Sequence, residues 1–419
     1  MSTHAEVDVL LLDAECRQTL AAMRAYTRAG LSVGAVVCES EAYWAPSPRS
    51  RHCALALTAP NYSTDPNGYV DAVVAAAKQH RPHLIVPALD GSIEALRPRR
   101  GELEPLTPLA LASEAALEVA VSKAKTLALA SELGIAVPRS ARVDCLSDVP
   151  GALRHVGFPA VMKPVQSWVQ RDGSGVRLSS EPVVDENAAR RSLEYVLSAG
   201  GQALLQQWLP GRREAVSLFY AHGRFWARMA QLSHREWPVL GGVSVLCETM
   251  PLLPDITAQA ERLVRAIDLE GCSMVEFRRD ENGQPVLMEV NPRIGGSVAL
   301  AISSGVDFTR LLYDWKVTGD LHEVAAYRVG RRLRWLTGDI WHLKCVYSDQ
   351  GEPDVPSRAS ATAAFVLDWF RPGINLDVVD ALDMRPALAE FNKMVLRHGM
   401  NRVRRHSPIK WLSQKERVN

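Results

Sequence analysis

The stretch Val286–Ser297, VLMEVNPRIGGS, places an acid, an amide and a base at alternate positions, Glu289, Asn291 and Arg293, and then stops at Gly295-Gly296. Alternation at a period of two marks a half-buried strand. A partner strand lies just upstream in CSMVEFRRDENGQPV, where Asn282-Gly283 between two alternating runs predicts a hairpin. Counting back from a loop of those two residues sets Glu281 opposite Gln284, Phe277 opposite Met288, Val275 opposite Val290 and Glu276 opposite Glu289. One face is then apolar, and the other carries Met274, Glu276, Arg278, Leu287, Glu289, Asn291 and Arg293.

An ordinary solvent face is one reading of that second surface, but its energetics are poor. Carboxylates directly opposite each other stand about 5 Å apart at Cβ. At an effective dielectric of about 20 they repel by about 3 kcal/mol, less where solvent screens them. A typical cross-strand pair contributes less than that. Arg278 or Arg293 is placed to neutralise the acids. A hard divalent cation accounts for Asn291 as well, since Asn is a poor strand former and its amide oxygen is a ligand. Two carboxylates and one amide oxygen, completed by phosphate and water, suit Mg2+ or Mn2+.

Two lysines add to this picture. In SKAKTLALASELGIAVP, Ser122 suits a helix N-cap and Gly134 with Pro138 a stop, so Lys123 falls in the first turn. A cation there opposes the helix dipole unless an anion is also present; a solvated surface lysine is the alternative. In GFPAVMKPVQSWVQRDGSGVRLSS, an apolar strand ends at Lys163-Pro164, a Gly-containing loop follows, and a second strand begins at Val176. Lysine beside a glycine loop makes a phosphate cradle. The segment ALLQQWLPGRREAVSLFYAHGRFWARMAQ predicts three short strands that join Lys163 in a largely antiparallel unit.

The first hundred residues alternate between apolar strands (VDVLLLD, SVGAVVCE, HLIVPALD) and helical runs, which implies a parallel sheet with helices on its faces. The turn after the first strand, DAECRQ, lacks Gly-x-Gly-x-x-Gly, so a redox dinucleotide site is not expected. Arg97 to Ala110 is rich in Pro and charge and reads as a domain joint. The 419 residues suit two or three packed units, and the net charge of +1 gives no global pull toward nucleic acid or membrane. Seven dispersed cysteines, no basic leader and no membrane-length apolar run suggest a cytoplasmic chain with reduced thiols.

On these motifs the chain resembles the ATP-grasp superfamily over roughly residues 7 to 318, through the helix-start Lys123, the strand Lys163 before a Gly loop, a hinge strand, then Glu276 and Glu289-x-Asn291-x-Arg293. The N-terminal part is similar to that of biotin carboxylase and carbamoyl phosphate synthetase. MEVNPRIGGS followed by AISSGVDF is similar to the carboxylate–amine ligase branch. The resemblance implies an α/β and α+β fold: a Rossmann-like pre-ATP-grasp domain over 1–110, an ATP-grasp domain over 111–320 with a small lid at about 140–212, and a C-terminal extension over 321–419. It further implies that Lys123 and Lys163 meet the nucleotide phosphates and that Asp172, Gly173, Ser174, Gly175 and Val176 close over them. Gln206 and the Leu209 backbone would lie near adenine, Glu214 at the ribose, and Glu276, Glu289 and Asn291 on Mg2+. Arg293 would meet the acyl substrate or its phosphate; structural neutralisation of Glu289 is its other reading. The hinge begins with Gln206-Gln207 where the family often has an acid, and QRDGSG is poorer in Gly than most such loops.

The implied activity is an ATP- and Mg2+-dependent ligase that joins a small-molecule carboxylate to an amine. ATP-dependent carboxylation or formyl-phosphate chemistry, and a non-catalytic ATP-binding regulator, are the alternatives. His234, Arg235 and Trp237, in a segment that either reaches the cleft or is an ordinary connecting loop, and Gly295, Gly296 and Ser297 are the substrate candidates. The aromatic-rich last hundred residues are expected to form a helical unit that covers the cleft or makes a homodimer face. The basic tail LRHGMNRVRRHSPIKWLSQKERVN reads as solvated, with an acidic partner or a membrane surface as its alternative contacts.

Overall fold

The computed structural model describes residues 7–171, 173–239, 241–348 and 355–404, with side chains from 397 onward left out. Asp172 and most of the basic tail therefore lie outside the described residues. The N-terminal sheet has strands β1 (Val9–Leu11), β2 (Val33–Cys38), β3 (Leu55–Ala59) and β4 (Leu84–Val86), all parallel, in the order β3-β2-β1-β4. The central strands are fully buried apolar runs because helices cover both faces. β3 was not anticipated from the sequence; it is an edge strand that alternates half-buried and exposed. The supposed joint is well ordered. Arg97 pairs with Glu94 and Glu114, Arg99 with Glu102, and Arg100 with Glu104, while Leu109 bridges to Ile85.

A small antiparallel sheet follows, built from β5 (Ser140–Val143), β6 (Ala160–Pro164), β9 (Glu181–Val183) and β10 (Ala203–Gln207) in the order β5-β10-β6-β9. Ala203, Leu205, Ala160 and Met162 pack on the helices Val149–Val156 and Glu186–Ser198. Strand alternation turns Lys163, Leu204 and Gln206 to the other face. The Gly loop after Lys163 is itself a hairpin, β7 (Trp168–Arg171) with β8 (Ser174–Arg177), so strand structure resumes at Ser174.

The large sheet comprises β11 (Glu214–Ala221), β12 (Arg224–Trp237), β13 (Val243–Met250), β14 (Gly271–Arg279), β15 (Pro285–Asn291), β16 (Arg332–Arg334) and β17 (Ile374–Leu376). Its order is β15-β14-β11-β12-β13-β16-β17. The three strands expected to share one unit with Lys163 are thus divided: β10 lies in the small sheet, β11 and β12 in the large one. Val216, Leu218, Val275 and Phe277 share a core with the helix Pro254–Ile267, whereas Phe219, Ala221 and Met229 lie on the other face in a core that also takes in Val298, Phe308, Trp315 and the helix Arg17–Arg28. The C-terminal extension is no separate body. Its β16 and β17 complete the large sheet, and Arg17 and Arg24 of the helix Arg17–Arg28 pair with its Asp377 and Asp383. Beyond them the helix Arg385–Arg404 leaves Leu388, Phe391 and Val395 about half exposed.

The β14–β15 hairpin keeps the register read from sequence near the acids, with Glu276 opposite Glu289 and Val275 opposite Val290. Its loop, however, spans three residues. Arg279 faces Pro285, Gly283 N–H donates to the Asp280 carbonyl at 3.0 Å, and Gly283 takes φ 77°. A bulge between Glu276 and Phe277 restores the alignment, setting Phe277 opposite Leu287 and leaving Met288 as the extra residue. Leu287 is therefore not on the polar face: it is fully buried beside Phe277 and Val290. Leu287→Ala is expected to lower unfolding free energy by about 3 kcal/mol in a denaturant titration, and Met288→Ala by less than about 1 kcal/mol. The reverse order would contradict the bulge.

Candidate active site

The polar face of the β14–β15 hairpin holds two opposed acids. Glu276 is buried and Glu289 about a third exposed. Each is met by a cation from another segment. Arg213, just before β11, places Nη1 3.2 Å from Glu276 Oε2 and Nε 3.0 Å from Glu236 Oε1. Arg213 also donates to the Gly242 carbonyl at 2.8 Å and to Ser244 Oγ at 2.7 Å. Lys123 Nζ lies 3.6 Å from Glu289 Oε2 and 2.8 Å from Ser167 Oγ. Lys123 is the first residue of the helix Lys123–Glu132 and is 8% exposed, so it is no solvated surface lysine. The acids are not neutralised by the arginines suggested from the sequence. Arg278 pairs with Glu236 at 2.9 Å, and Arg293 pairs with Asp90 at 2.6 Å.

These partners split the two carboxyls electrostatically. Burial pushes Glu276 up against the opposing pull of Arg213, and the charges of Glu289 and Glu236 push the same way. Burial also acts on Glu289, but Lys123, Lys163 and Arg213 outweigh it and hold that carboxyl below its ordinary value. The Asn291 amide lies between the acids, with Nδ2 3.4 Å from Glu276 Oε1 and 3.4 Å from Glu289 Oε1. A half-turn of the amide presents Oδ1 in the same place. Among the described residues no cluster of three His, Cys, Asp or Glu stands ready for a metal ion. Two carboxylates and an amide oxygen converging on one point nevertheless fit a hard divalent cation whose other ligands come from a substrate.

Lys163 and Gln206 project from the small sheet toward this hairpin. No carboxylate of a described residue lies within 4.0 Å of Lys163, and burial depresses its ammonium to about 8. Gln206 is fully buried, and neither of its amide atoms has a hydrogen-bond partner. Unpaired polar groups of this kind are costly without a ligand. Leu209, on the connection between the sheets, is buried. Glu214 is held by Arg279 at 2.8 and 3.0 Å. Gly173 and Ser174 lie at the exposed tip of the β7–β8 hairpin, and Gly175 N–H donates to the Ser63 carbonyl at 2.7 Å. A Cβ at Gly175 would lie 2.3 Å from the Trp168 ring, which packs edge-on against Tyr62. The hairpin is therefore docked on the N-terminal domain.

The substrate candidates separate. Gly295, Gly296 and Ser297 continue the site. A Cβ on Gly296 would meet Arg17 at 3.2 Å, and Ser297 Oγ donates to Gln231 at 2.7 Å. A cavity is lined in part by Ser217, Met274, Arg293, Gly295 and Ser297. Arg235 is elsewhere, tied to Asp339 at 2.7 Å and Asp368 at 2.7 Å of the C-terminal extension. Trp237 packs at a tilt against Trp341 of the same extension, and His234 pairs with Glu248 at 2.8 Å. Sequence reasoning missed Arg213, Asp90 and Arg17. The adjacent Arg212-Arg213 after LPG was the signal available for the first.

The model of the family described as "ATP-grasp in the biosynthetic pathway with Ter operon" matches residues 202–338. D-alanine–D-alanine ligase B of Pseudomonas putida is 25% identical over 211 residues, covering 46% of this chain and 63% of the relative, so the match spans less than two thirds of that protein. Formate-dependent phosphoribosylglycinamide formyltransferase of Synechococcus elongatus is 24% identical over 328 residues, 75% of this chain and 76% of the relative. Among solved structures, L-amino acid ligase from Bacillus licheniformis superposes with a TM-score of 0.60 at 16% identity, over 78% of this chain and 79% of that one. Among the described residues no helix is long and apolar enough to cross a membrane.

Lys163 gives a test of this electrostatic picture in nucleotide- and metal-free buffer. Its folded value is depressed, so between about 8 and its ordinary 10.5 the unfolded chain holds more protons, and stability rises with pH across that window. Below about 8 the buried charge is a penalty of roughly 3 kcal/mol. Lys163→Met should raise the thermal midpoint at pH 7, and its advantage should shrink toward pH 10. An advantage independent of pH would contradict the assignment.

Proposed function

We propose that this chain, a protein of ATP-grasp fold with a match to an ATP-grasp family model, is an ATP- and Mg2+-dependent ligase. On this reading it activates a carboxylate as an acyl phosphate and joins it to an amine, releasing ADP and phosphate. The observation that carries it is the opposed pair Glu276 and Glu289 with Asn291 between them, faced by buried lysines from two other segments. Lys123 and Lys163 bind the phosphates from either side, and Gln206 supplies an unpaired amide for the base. Glu276, Glu289 and Asn291 hold the divalent cation, which when bound neutralises charge on the phosphate oxygens. The β7–β8 hairpin shields the phosphates from water.

Phosphoryl transfer to a carboxylate needs in-line positioning and charge stabilisation rather than a protein nucleophile. Arg293, fixed by Asp90 beside Gly295 and Gly296, is placed to hold the acyl carboxylate and then the oxyanion formed as the amine attacks. The carbon–nitrogen bond forms first, the acyl carbon–oxygen bond to phosphate breaks as the oxyanion collapses, phosphate leaves, and the amine nitrogen gives up its proton to solvent. Formyl-phosphate or carboxylation chemistry is the second reading. It draws support from the formyltransferase match over 75% of the chain.

The test is ADP and phosphate release with ATP, Mg2+ and panels of carboxylates and amines. Stimulation by amino acids or larger acids supports the ligase; stimulation by formate or bicarbonate alone selects the second reading. Glu289→Ala should lower the stimulated rate by roughly a hundredfold at saturating Mg2+. Wild-type turnover in that variant would remove the metal assignment.

A further inference from the structure

The large sheet carries a notch one row away from the opposed acids. Across β15, β14, β11 and β12 the register aligns Glu289, Glu276, Ala215 and Gln231 in one row, and Asn291, Met274, Ser217 and Met229 in the next. The rows are two residues apart, so their side chains share a face of the sheet and stand about 7 Å from each other. Ser217 is the small member of the second row. With a methionine on each side of it, the row dips at its centre.

The helices above the sheet leave the dip unfilled. Val298 and Ala301, three apart on the helix Val298–Ser304, and Phe308, which begins the helix Phe308–Tyr313, close the far side of the cavity described above. Ala301 offers only a methyl group there. Ser217, Met274, Arg293 and Gly295 are partly exposed, whereas Met229, Cys272, Val298, Ala301 and Phe308 are buried. The cavity thus opens beside Arg293 and ends on a floor of carbon and sulfur. Its polar groups are largely engaged. Cys272 Sγ donates to the Phe308 carbonyl at 3.7 Å, Ser304 Oγ to Met229 Sδ at 3.5 Å, and Ser297 Oγ to Gln231 at 2.7 Å. Among the described residues that line the cavity, Arg293 is the one charged side chain. A second carboxylate or an ammonium placed on this floor would lose its water and gain no counter-ion.

We propose that this cavity takes the tail of the acyl substrate, that the substrate is a carboxylate whose tail is apolar and uncharged, and that Ser217 and Met229 set the tail's length. The inference names the substrate class of the ligase reading and rests on that reading. With the carboxylate on Arg293, one row from the acids, the tail runs down between Met274 and Ala301 to Met229. Methionine suits such a wall, because its flexible, polarisable thioether adapts to the shape packed against it. Each methylene withdrawn from water there is worth about fourfold in kcat/KM.

The full chain is assayed for ADP release with ATP, Mg2+ and the amine that stimulates it most. The acids are compared at equal length: pentanoate with glutarate, and norvaline with glutamate and ornithine. The methyl-ended acid of the preferred set is expected to exceed its charged counterparts about tenfold in kcat/KM. Ser217→Val fills the notch and should lower kcat/KM for that acid about tenfold relative to acetate or glycine. Met229→Ala deepens the floor and should raise the ratio of hexanoate to pentanoate, or of norleucine to norvaline, about fourfold. Ser217→Val changes a half-buried strand position to a good strand former, so it keeps the test open should Met229→Ala not fold. A preference for the charged tails, or length ratios unchanged in the folded variants, overturns the pocket and leaves the ligase. Stimulation by formate or bicarbonate alone, or by no acid at all, overturns the ligase reading and the pocket with it.

Discussion

Two carboxylates forced to face each other, Glu276 and Glu289, are the constraint around which the rest of the molecule is arranged. Left alone they would repel by about 3 kcal/mol. Each instead draws a cation from a different part of the chain: Arg213 from the start of β11 and Lys123 from the first turn of a helix. Lys163 adds its field from the small sheet. One hairpin thus gathers three segments into a cleft between two sheets. Because the cations are shared unequally, the two acids are also chemically distinct, one pushed up and the other held down.

The flanking domains are fastened to the cleft by the same kind of interaction. Asp90, at the end of the connection from β4, fixes Arg293, so the N-terminal sheet determines where that guanidinium points. Arg17 and Arg24 bind Asp377 and Asp383, and Arg235 binds Asp339 and Asp368, so the C-terminal extension is tied to the other two units. Buried ion pairs of this kind add little net stability, because removing charges from water offsets most of their attraction.

Much of the candidate site was legible in the sequence because it lies within one hairpin, where a period of two and a turn signal decide which residues face each other. The alignment of Glu276 with Glu289 was read from a two-residue loop that is in fact three residues long; the bulge after Glu276 cancels the difference. That compensation is invisible in a pattern, and Leu287 was assigned to the wrong face as a result. Arg213 escaped notice because its partnership with Glu276 crosses 63 positions of sequence. Arg235 looked like a substrate residue because the aspartates that hold it come more than a hundred positions later. β3, LALTA, carries an apolar signal that was not singled out from the sequence, and as an edge strand it is only partly buried. The parallel character of the N-terminal sheet and the helix beginning at Lys123 followed from buried runs and a Ser N-cap, both local features.

The most direct test of the account is anomalous diffraction from crystals grown with Mn2+ and a non-hydrolysable ATP analogue. The account predicts a manganese peak within coordination distance, about 2.2 Å, of carboxylate oxygens of Glu276 and Glu289 and of Asn291 Oδ1, with the triphosphate between Lys123 and Lys163. A peak away from the hairpin, or a nucleotide bound with no metal at these three side chains, would contradict it.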